Sequence, residues 1–364
     1  MMFMPLHILH IATSMNRGGL ETLLMNCYRH IDREQIQFDF LVHRSFRADY
    51  DDEIEALGGT IYRLPRLNPF SPGYYAALMR FFHAHPEYHI VHCHLDCMSA
   101  IPLSVAKKCG VPVRIAHSHN ANQDKNWKYI LKRIFMKQTP KFATHYFACS
   151  KQAGSWMFPG QSVTVIANGI DTPQYQFSAT YRNSIRTELN LADHFIIGHT
   201  GRFMPQKNHD FLIDVFREVH DRQPNSVLLL IGEGPLSGSI AQKVKQLNLE
   251  DSVRFLGVRS DVNQLLQAMD AFVMPSLYEG LSLATVEAQT AGLPCFLADT
   301  IPSECHLTDN VSFLSLSAPP SEWATAILST DYSQRRSGHE TVRNAGFDIR
   351  ATADFLQDFY LNIG

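Results

Sequence analysis

Short apolar or β-branched runs alternate with amphipathic stretches along almost the whole chain, and no other feature of the sequence constrains the fold as strongly. The runs predict strands at residues 6–13, 37–42, 89–93, 113–117 and 145–149, and again at 195–200, 227–231, 253–255, 271–274 and 295–298. Amphipathic stretches such as 210–220 and 238–247 predict helices between them. Strands that alternate with helices form parallel sheets covered on both faces, so we expect an α/β fold.

The alternation pauses at residues 168–178, a polar stretch with Asn-Gly and a proline that is typical of a loop. The chain has 364 residues, which corresponds to about two domains at ~150 residues each. We therefore predict two doubly wound, Rossmann-like domains at 1–172 and 173–345. The last segment, 346–364, contains a helix at about 349–361. This segment either belongs to the second domain or packs back on the first domain.

Composition excludes several classes of protein. The formal net charge of −3 argues against a surface that binds nucleic acid throughout. We find neither an apolar run of the ~20 residues that span a membrane nor an N-terminal leader with a small-residue cleavage site. The seven cysteines are odd in number and irregularly spaced, which favours reduced thiols and a cytoplasmic location.

Two loops that follow predicted strands carry groups suited to phosphate. Gly18 and Gly19 precede a predicted helix, where free amides and close backbone approach favour an anion, although an ordinary tight turn is equally consistent. Arg202 and Lys207 flank the start of another helix, where they are suited to neutralising a diphosphate. The alternative is a solvated basic loop. Asn208 is predicted to cap the helix that follows.

A third loop, residues 275–287, carries two carboxylates. Glu279 lies in the loop, where it is suited to sugar hydroxyls, and Glu287 lies in the second turn of the next helix, where it is suited to a ribose. The amides of Leu283 and Ala284 begin that helix and favour a phosphate. Paired carboxylates also serve hydrolases, but hydrolases do not need the loop that carries Arg202 and Lys207.

A metal site is the weaker interpretation of the run His92-Cys93-His94 with Cys97. On an extended strand His92 and His94 share one face while Cys93 points away, and the sequence shows no second ligand pair at a familiar spacing. We therefore predict no metal and no other cofactor. The turn at residues 232–235, GEGP, resembles part of a nucleotide fingerprint but has the wrong spacing for NAD.

Together, several motifs resemble the family-four, or group 1, glycosyltransferases: GGLE, ANGID, GRFMPQKN, LIGEGPL, FLGVRSDV and SLYEGLSLATVEAQTAGLPC. They occur in the family's order and span about residues 16–305. The resemblance implies the GT-B fold, two Rossmann-like domains facing a cleft, and transfer of a sugar from a nucleotide donor with retention of configuration. Ser282 departs from the pattern, since many members have Gly or Pro there.

The resemblance also implies roles for individual residues. Arg202 and Lys207 match the residues that bind the donor diphosphate in the family. Glu279 matches the glutamate near the transferred sugar, and Glu287 matches the glutamate that binds the ribose. Leu283 and Ala284 match the helix start that binds phosphate, and Gly18 and Gly19 match the N-terminal loop that approaches it. His117 matches the strand-end histidine at the reaction centre, with His119 as the alternative.

Protein cations would then replace a metal in stabilising the leaving diphosphate, and that diphosphate would accept the acceptor's proton. We expect a UDP-sugar donor, transfer of a hexosyl or N-acetylhexosaminyl group, and a saccharide or lipid-linked acceptor of exopolysaccharide or capsule synthesis. Two alternatives stay open. One is a nucleotide-sugar 2-epimerase of the same architecture, and the other is a non-catalytic subunit that binds nucleotide sugars.

Residues 126–141 predict a basic amphipathic helix in the first domain. Trp127, Ile130, Leu131, Ile134 and Phe135 form one apolar stripe, and residues 124–141 contain six basic residues and one acidic residue. Such a helix suits the anionic inner face of a cell membrane, where a lipid-linked acceptor would lie. The alternative is that the stripe faces the domain core while the lysines are solvated.

Overall fold

The computed structural model describes residues 5–119, 129–167 and 169–364, and it divides the chain into two compact units. The first unit comprises Met1–Gly169 and Ile349–Gly364, and the second comprises Ile170–Asp348. The chain therefore passes into the second unit three residues before the predicted boundary. Asn168 of the predicted loop, and residues 120–128, lie outside the described residues.

The first unit contains a parallel sheet covered by helices. Its described strands are β1 (Leu6–Ala12), β2 (Ile36–Val42), β3 (Ile61–Arg63), β4 (Ile90–Cys93), β5 (Val113–Ser118), β6 (His145–Ala148) and β7 (Thr164–Val165). Its helices include α1 (Gly19–His30), α2 (Asp51–Ala56), α3 (Pro72–Ala84), α4 (Ala100–Lys108), α5 (Tyr129–Gln138) and α6 (Lys151–Met157). The strand order is β3-β2-β1-β4-β5-β6-β7.

The second unit repeats this architecture. Its strands are β8 (Phe195–Thr200), β9 (Ser226–Ile231), β10 (Val253–Phe255), β11 (Ala271–Met274), β12 (Cys295–Ala298) and β13 (Val311–Leu314), in the order β10-β9-β8-β11-β12-β13. Its helices include α7 (Ala179–Glu188), α8 (His209–Arg222), α9 (Ser237–Gln246), α10 (Val262–Ala268), α11 (Leu283–Thr290), α12 (Pro320–Leu328) and α13 (His339–Val342). Two parallel α/β sheets were expected from the alternation of strands and helices, and the fold class is confirmed.

The last helix, α14 (Ile349–Ile363), belongs to the first unit. Ile349, Leu356 and Tyr360 are buried in the core formed by α1 and one face of the sheet. Phe359 packs edge-on against Phe147 of β6, with ring centroids 4.9 Å apart. The apolar residues of this helix are therefore part of the hydrophobic core of the first unit.

Three described strands, β3, β7 and β13, were not predicted. They lie at sheet edges, they span three, two and four residues, and most of their side chains are only partly buried or exposed. An edge strand has one neighbour and needs no continuous apolar run, so its sequence carries a weak signal. None of the helices in the described ranges is long and apolar enough to cross a membrane.

Each sheet reverses its strand order at one point. The reversal lies between β1 and β4 in the first unit and between β8 and β11 in the second. Ligands of doubly wound sheets bind outside the carboxyl ends of the strands at such a point. Within each unit, the loops after these strands therefore form the candidate site.

Candidate functional site

In the second unit, an ion pair joins the loops after β8 and β11. The Nζ atom of Lys207 lies 2.7 Å from Oε1 of Glu279, and the two side chains are only 16% and 8% exposed. The side chain of Gln206 adds a second connection, since its Nε2 donates to the Tyr278 carbonyl at 2.9 Å. The backbone N–H of Leu277 donates to the Gln206 carbonyl at 2.8 Å. Lys207, which is predicted to bind the diphosphate, and Glu279, which is predicted to bind the sugar, therefore lie in contact.

The loop that carries Arg202 is supported by the glycine turn after β9. The φ angle of Gly232 is +130°, and a Cβ atom there would lie 2.3 Å from the Gly201 carbonyl oxygen. The N–H of Phe203 donates to the Glu233 carbonyl at 3.0 Å. The GEGP turn thus needs glycine for close backbone contact with the neighbouring loop. The Arg202 side chain itself is exposed.

The prediction that Asn208 caps α8 is wrong. Asn208 occupies the position before the helix, but its backbone is left-handed, with φ 54° and ψ 43°, and its side chain makes no capping hydrogen bond. A side-chain cap requires an extended backbone at this position, from which the side chain folds back onto the first amides. Asparagine is instead one of the few residues that tolerate the left-handed turn.

Helix α11 begins at Leu283, directly after the carboxylate loop. The first amides of a helix have no acceptor within it, so the N–H groups of Leu283 and Ala284 are suited to a phosphate. Ser282 precedes them with φ −80° and ψ 110°, and its carbonyl accepts from the Thr285 hydroxyl at 2.7 Å. This backbone conformation does not require glycine, so the departure from the family pattern leaves the helix start intact.

Glu287 lies one turn into α11, as predicted, and Tyr175 contacts it. The Tyr175 hydroxyl donates to Oε1 of Glu287 at 3.0 Å. Burial raises the pKa of the Glu287 carboxyl to about 7, while the hydrogen bond from Tyr175 opposes this shift. Tyr175 was not predicted as a site residue, because it ends a single 3-10 turn, Thr172–Tyr175, which is too short to have a periodic sequence pattern.

In the first unit, Gly18 and Gly19 are exposed at the start of α1. Gly18 is extended, with φ −158° and ψ 169°, a conformation that any residue adopts. A Cβ atom there would lie 2.5 Å from Oε2 of Glu21, the flexible end of a side chain. The backbone therefore does not require glycine here, and what suits this turn to an anion is its exposed position at the N-terminus of a helix.

His117 and His119 lie side by side at the end of β5, with ring centroids 4.1 Å apart. His94 joins them, since its Nδ1 is 3.0 Å from Nε2 of His119. On the other side, Nε2 of His94 is 3.0 Å from Nδ1 of His10. His92 completes this histidine cluster, with its Nε2 3.1 Å from Nδ1 of His117. The cluster brings together side chains from β1, from β4 and β5, and from the residues that follow these two strands. His10 was not among the residues predicted from the sequence.

The histidine cluster also corrects one premise of the sequence analysis, that a second ligand pair for a metal is lacking. His10, His92 and His94 each offer a ring nitrogen within 4.8 Å of the others, as do His94, His117 and His119. Burial lowers the pKa of all five rings, which keeps them neutral, and neutral imidazoles suit zinc or copper. Both nitrogens of His94 already form hydrogen bonds, however, which an ion would have to replace.

A cavity of about 310 Å³ opens beside the histidine cluster in the first unit. Polar residues of its lining are Thr13, His43, Arg44, Arg66, His94 and Asp96. Nη1 of Arg44 donates to the His43 carbonyl at 2.9 Å. In the described part of the chain neither guanidinium forms an ion pair with a carboxylate. The cavity therefore offers two guanidinium groups to an anionic ligand, with the carboxylate of Asp96 also in its lining.

Helix α5 covers part of the predicted basic amphipathic segment, whereas residues 126–128, including Trp127, lie outside the described residues. Ile130 is 73% exposed and Ile134 is 48% exposed. Phe135 packs against the core of the first unit, and Met136 is buried in it. The predicted apolar stripe therefore does not share one environment. Phe135 packs against the core of the first unit, whereas Ile130 and Ile134 are exposed.

The comparisons with known proteins match both units to one family of enzymes. Residues 17–174 match the family described as Glycosyltransferase Family 4, and residues 194–330 match Glycosyl transferases group 1. EpsF of Bacillus subtilis (strain 168), itself assigned only provisionally as a glycosyltransferase, is 36% identical over 368 residues, covering 97% of this chain and 96% of EpsF. These matches confirm the resemblance seen in the motifs.

The chain is also similar to a second enzyme in sequence and to a solved structure in fold. The UDP-Gal:alpha-D-GlcNAc-diphosphoundecaprenol alpha-1,3-galactosyltransferase of Escherichia coli is 26% identical, covering 76% of each chain. The crystal structure of Anabaena Alr3699/HepE in complex with UDP-glucose aligns with a TM-score of 0.80 at 20% identity, covering 98% of this chain and 99% of that one. The fold is therefore GT-B, and the chain belongs to the group 1, or family 4, glycosyltransferases, enzymes that use nucleotide-sugar donors.

Proposed function

We propose that the enzyme transfers a hexosyl or N-acetylhexosaminyl group from a UDP-sugar, with retention of configuration, to a saccharide or lipid-linked acceptor of exopolysaccharide or capsule synthesis. The observation that carries the proposal is the partly buried ion pair between Lys207 and Glu279 at the strand reversal of the second unit. It supports the proposal because a cation suited to a diphosphate lies beside a carboxylate suited to a sugar. HepE, with UDP-glucose in its crystal structure, supports the choice of nucleotide.

The donor would be held by groups of distinct chemistry. The carboxylate of Glu287 would accept hydrogen bonds from the ribose hydroxyls, and the amides of Leu283 and Ala284 would bind phosphate. The amides after Gly18 would approach the same diphosphate. Arg202 and Lys207 would stabilise the negative charge that develops on the leaving group, which accelerates the reaction because the interaction strengthens in the transition state.

The reaction breaks the bond between C1 of the sugar and the diphosphate oxygen, and it forms a bond from C1 to the acceptor oxygen. The leaving phosphate would take the acceptor's proton on the same face of the sugar, so no strong protein base is needed. Glu279 and His117 would hold and orient the sugar. His119 remains the alternative for His117, since the two rings are neighbours.

For the acceptor, the cavity of the first unit favours a molecule with a phosphate or diphosphate. Arg44 and Arg66 both line it, and a guanidinium binds phosphate oxygens in a bidentate manner. The name of the E. coli relative gives a diphosphoundecaprenol-linked acceptor, which supports the same class here. A lipid-linked acceptor in turn favours a cytoplasmic enzyme that works at the inner face of the cell membrane.

Catalysis would need no metal, because Arg202 and Lys207 would take the place of one. Transfer from the radiolabelled UDP-sugar that a thermal-shift screen identifies as the donor is to be measured in EDTA and after adding Mg²⁺, Mn²⁺ or Zn²⁺. We expect unchanged transfer in EDTA. Loss of activity that Mg²⁺ or Mn²⁺ restores would contradict metal independence, and restoration by Zn²⁺ alone would point to the histidine cluster.

The alternatives, a 2-epimerase and a non-catalytic subunit, are not favoured by the family matches. A thermal-shift screen of UDP-sugars identifies the donor, since a ligand at 100 times its dissociation constant stabilises by ~2.7 kcal/mol. Turnover of that donor is then compared with and without a diphosphate-linked acceptor. Transfer that depends on the acceptor is expected. Conversion of the donor sugar without acceptor would indicate an epimerase, and binding without turnover would indicate a subunit.

A further inference from the structure

The histidine cluster of the first unit contains two overlapping groups of three rings. We call His94, His117 and His119 the outer triad, and His10, His92 and His94 the inner triad. Within each triad, every residue offers a ring nitrogen that lies within 4.8 Å of the other two. A neutral imidazole has one lone pair for a metal ion, so His94 serves one triad at a time. The cluster is therefore suited to a single ion.

The ligand set of the outer triad selects the kind of ion. Three imidazoles suit zinc, copper or nickel, whereas magnesium and calcium prefer oxygen ligands. Burial lowers the pKa of His119 to about 3 and the pKa of His94 and of His117 well below the usual range, so each ring keeps a free lone pair. Zinc imposes no geometry through its d electrons and accepts three histidines and a water as ligands. It is therefore the ion that adapts best to these rings.

Two rings of the outer triad already have nearly the spacing of zinc ligands. Nδ1 of His94 lies 3.0 Å from Nε2 of His119. Two nitrogens bound to one tetrahedral zinc ion are about 3.3–3.4 Å apart, since each zinc–nitrogen bond is about 2.0–2.1 Å long. The two residues directly follow β4 and β5, which are paired in the sheet. An ion between them therefore requires the two nitrogens to separate by only a few tenths of an ångström.

The hydrogen bonds of the cluster favour the outer triad over the inner one. Nε2 of His117 has no partner among the described residues, so an ion in the outer triad has to replace only the bond between His94 and His119. In the inner triad, His92 and His94 both have their two ring nitrogens in hydrogen bonds. An ion there would replace at least two hydrogen bonds.

Access favours the same triad. His94 lines the cavity of about 310 Å³, and His119 is only partly buried. His10 and His92 are buried and are not among the described residues that line this cavity. A hydrated ion can therefore reach the outer triad from the cavity, which also leaves room for a water ligand.

From these contacts we propose that the outer triad binds one Zn²⁺ ion through a ring nitrogen of each of His94, His117 and His119, with water as the fourth ligand. The ion joins the ends of β4 and β5 within the first unit. It is not a catalytic metal, because Arg202 and Lys207 are the groups proposed for the diphosphate. The site itself does not rest on the proposed function, and only its effect on transfer does.

The experiment measures Zn²⁺ binding to the full-length protein, prepared without a histidine tag, treated with EDTA and then freed of it. Calorimetric titration with zinc chloride is expected to show one ion bound per chain. Neither a donor nor an acceptor is present, so the result does not depend on transfer. A wild-type protein that shows no saturable binding of Zn²⁺ would overturn the proposal.

Two variants locate the ion. His119→Gln removes a ligand of the outer triad alone, and His10→Gln is the matched control, since it removes a ligand of the inner triad alone. We expect Zn²⁺ affinity to fall at least about tenfold in His119→Gln, because even the loss of groups that only support metal ligands costs 10–100-fold. His10→Gln should keep the wild-type affinity. Loss in His10→Gln but not in His119→Gln, or no loss in either, would overturn the outer triad.

Circular dichroism checks that both variants fold. If His10→Gln does not, His83→Gln replaces it as the control, since His83 is exposed on α3 of the same unit. X-ray absorption spectra of the zinc-loaded wild-type protein identify the ligand atoms. Imidazole nitrogens at about 2.0 Å from zinc are expected, whereas a sulfur at about 2.3 Å would show a cysteine ligand and contradict the proposal.

Kinetics separate this inference from the proposed function. An ion on His117 would keep that ring from the sugar, so saturating Zn²⁺ is expected to lower kcat severalfold in the wild-type enzyme. If Zn²⁺ binds to the outer triad without slowing transfer, the site stands and the proposed contact of His117 with the sugar is wrong. If Zn²⁺ does not bind, the site is wrong whether or not the enzyme transfers sugar.

Discussion

The ammonium group of Lys207 lies 2.7 Å from the carboxylate of Glu279, across the loops that follow two adjacent strands of one sheet. The pair is largely shielded from water, so each charge depends on the other more than in a surface salt bridge. A ligand that brings a diphosphate to Lys207 would compete with Glu279 for the same cation. Glu279 would then be free to accept hydrogen bonds from the sugar at the moment the donor binds.

Replacing Lys207 with alanine is expected to lower turnover more than it weakens UDP binding. Lys207 would act mainly on the charge that builds on the leaving diphosphate, and the loss of one such donor lowers kcat by about 10²–10³-fold, or ~3–4 kcal/mol. Arg202→Ala should behave in the same way, because Arg202 stands in the same loop. Steady-state kinetics with the UDP-sugar, together with calorimetric titration of UDP, check both variants.

Lys243→Ala is the matched control for these substitutions. Lys243 also forms ion pairs in the second unit, with Asp210 and Asp214, but it joins helices α8 and α9. Its removal should leave kcat unchanged. Turnover at the wild-type level in either Lys207→Ala or Arg202→Ala would show that the residue is not a ligand of the diphosphate.

Substitution of Glu279 and substitution of Glu287 should weaken the binding of different ligands. Glu287→Gln is expected to weaken UDP and the UDP-sugar alike, since its carboxylate would bind the ribose that both share. Glu279→Gln should weaken only the full donor, because its carboxylate would contact the sugar. Titration of each variant with UDP and with the UDP-sugar measures the difference. Equal loss of UDP affinity in both variants would mean that these roles are wrong.

Affinity for the donor should fall as the pH is lowered through about 7. Burial raises the pKa of Glu287 to about 7, and only its ionised form accepts hydrogen bonds from both ribose hydroxyls. If only that form binds, the dissociation constant rises about tenfold between pH 8 and pH 6. A UDP-sugar is the suitable probe, because its diphosphate does not titrate in this range.

Two variants test the origin of this pH dependence. Glu287→Gln should abolish it, and Tyr175→Phe should move it to higher pH, since the Tyr175 hydroxyl lowers the pKa of Glu287. The raised pKa also means that the folded state favours the protonated carboxyl, so its contribution to stability is lost as the pH rises through about 7. Relative to wild type, Glu287→Gln should therefore be more stable at pH 8 than at pH 4. A pH profile that Glu287→Gln leaves intact would exclude this carboxyl as its cause.

The sequence alone was sufficient to predict individual site residues but not their contacts. Lys207 and Glu279 stand in loops between strong strand and helix patterns, so each was recognisable as a candidate. They are 72 positions apart, and their contact depends on β8 and β11 being neighbours in the sheet. Local periodicity contains no information on strand order, so the pair became visible only in the fold.

The contact between the Tyr360 hydroxyl and Nδ1 of His92 could not be predicted for the same reason, over a longer separation in the sequence. Tyr360 and His92 are 268 positions apart. They meet because α14 packs on the sheet of the first unit, and the apolar residues of α14 predict that it packs without saying on which domain. Short edge strands such as β3 and the left-handed turn at Asn208 were missed because their backbone depends on neighbours and not on a sequence pattern.

Contact with an anionic membrane is predicted for the outer side of α5. Ile130 and Ile134 are exposed one helical turn apart, and Arg133 and Lys137 are exposed between and beside them. Apolar side chains that insert at the headgroup level, next to cations, bind anionic bilayers, and each cation near the surface contributes ~1 kcal/mol. Sedimentation with phosphatidylglycerol vesicles at low salt should therefore pellet the protein, while phosphatidylcholine vesicles should not.

Removing either part of this surface should weaken binding by a measurable amount. Arg133→Glu and Lys137→Glu reverse the charge, and each is expected to lower the partition coefficient at least fivefold, since ~1 kcal/mol corresponds to about that factor. Ile130→Ser with Ile134→Ser tests the apolar part. Lys245→Glu is the matched control, because it reverses an exposed cation of the second unit and should not change binding. Negligible sedimentation of the wild-type protein with both lipids would mean that the exposed isoleucines have no membrane role, and an equal effect of Lys245→Glu would show that only net charge matters.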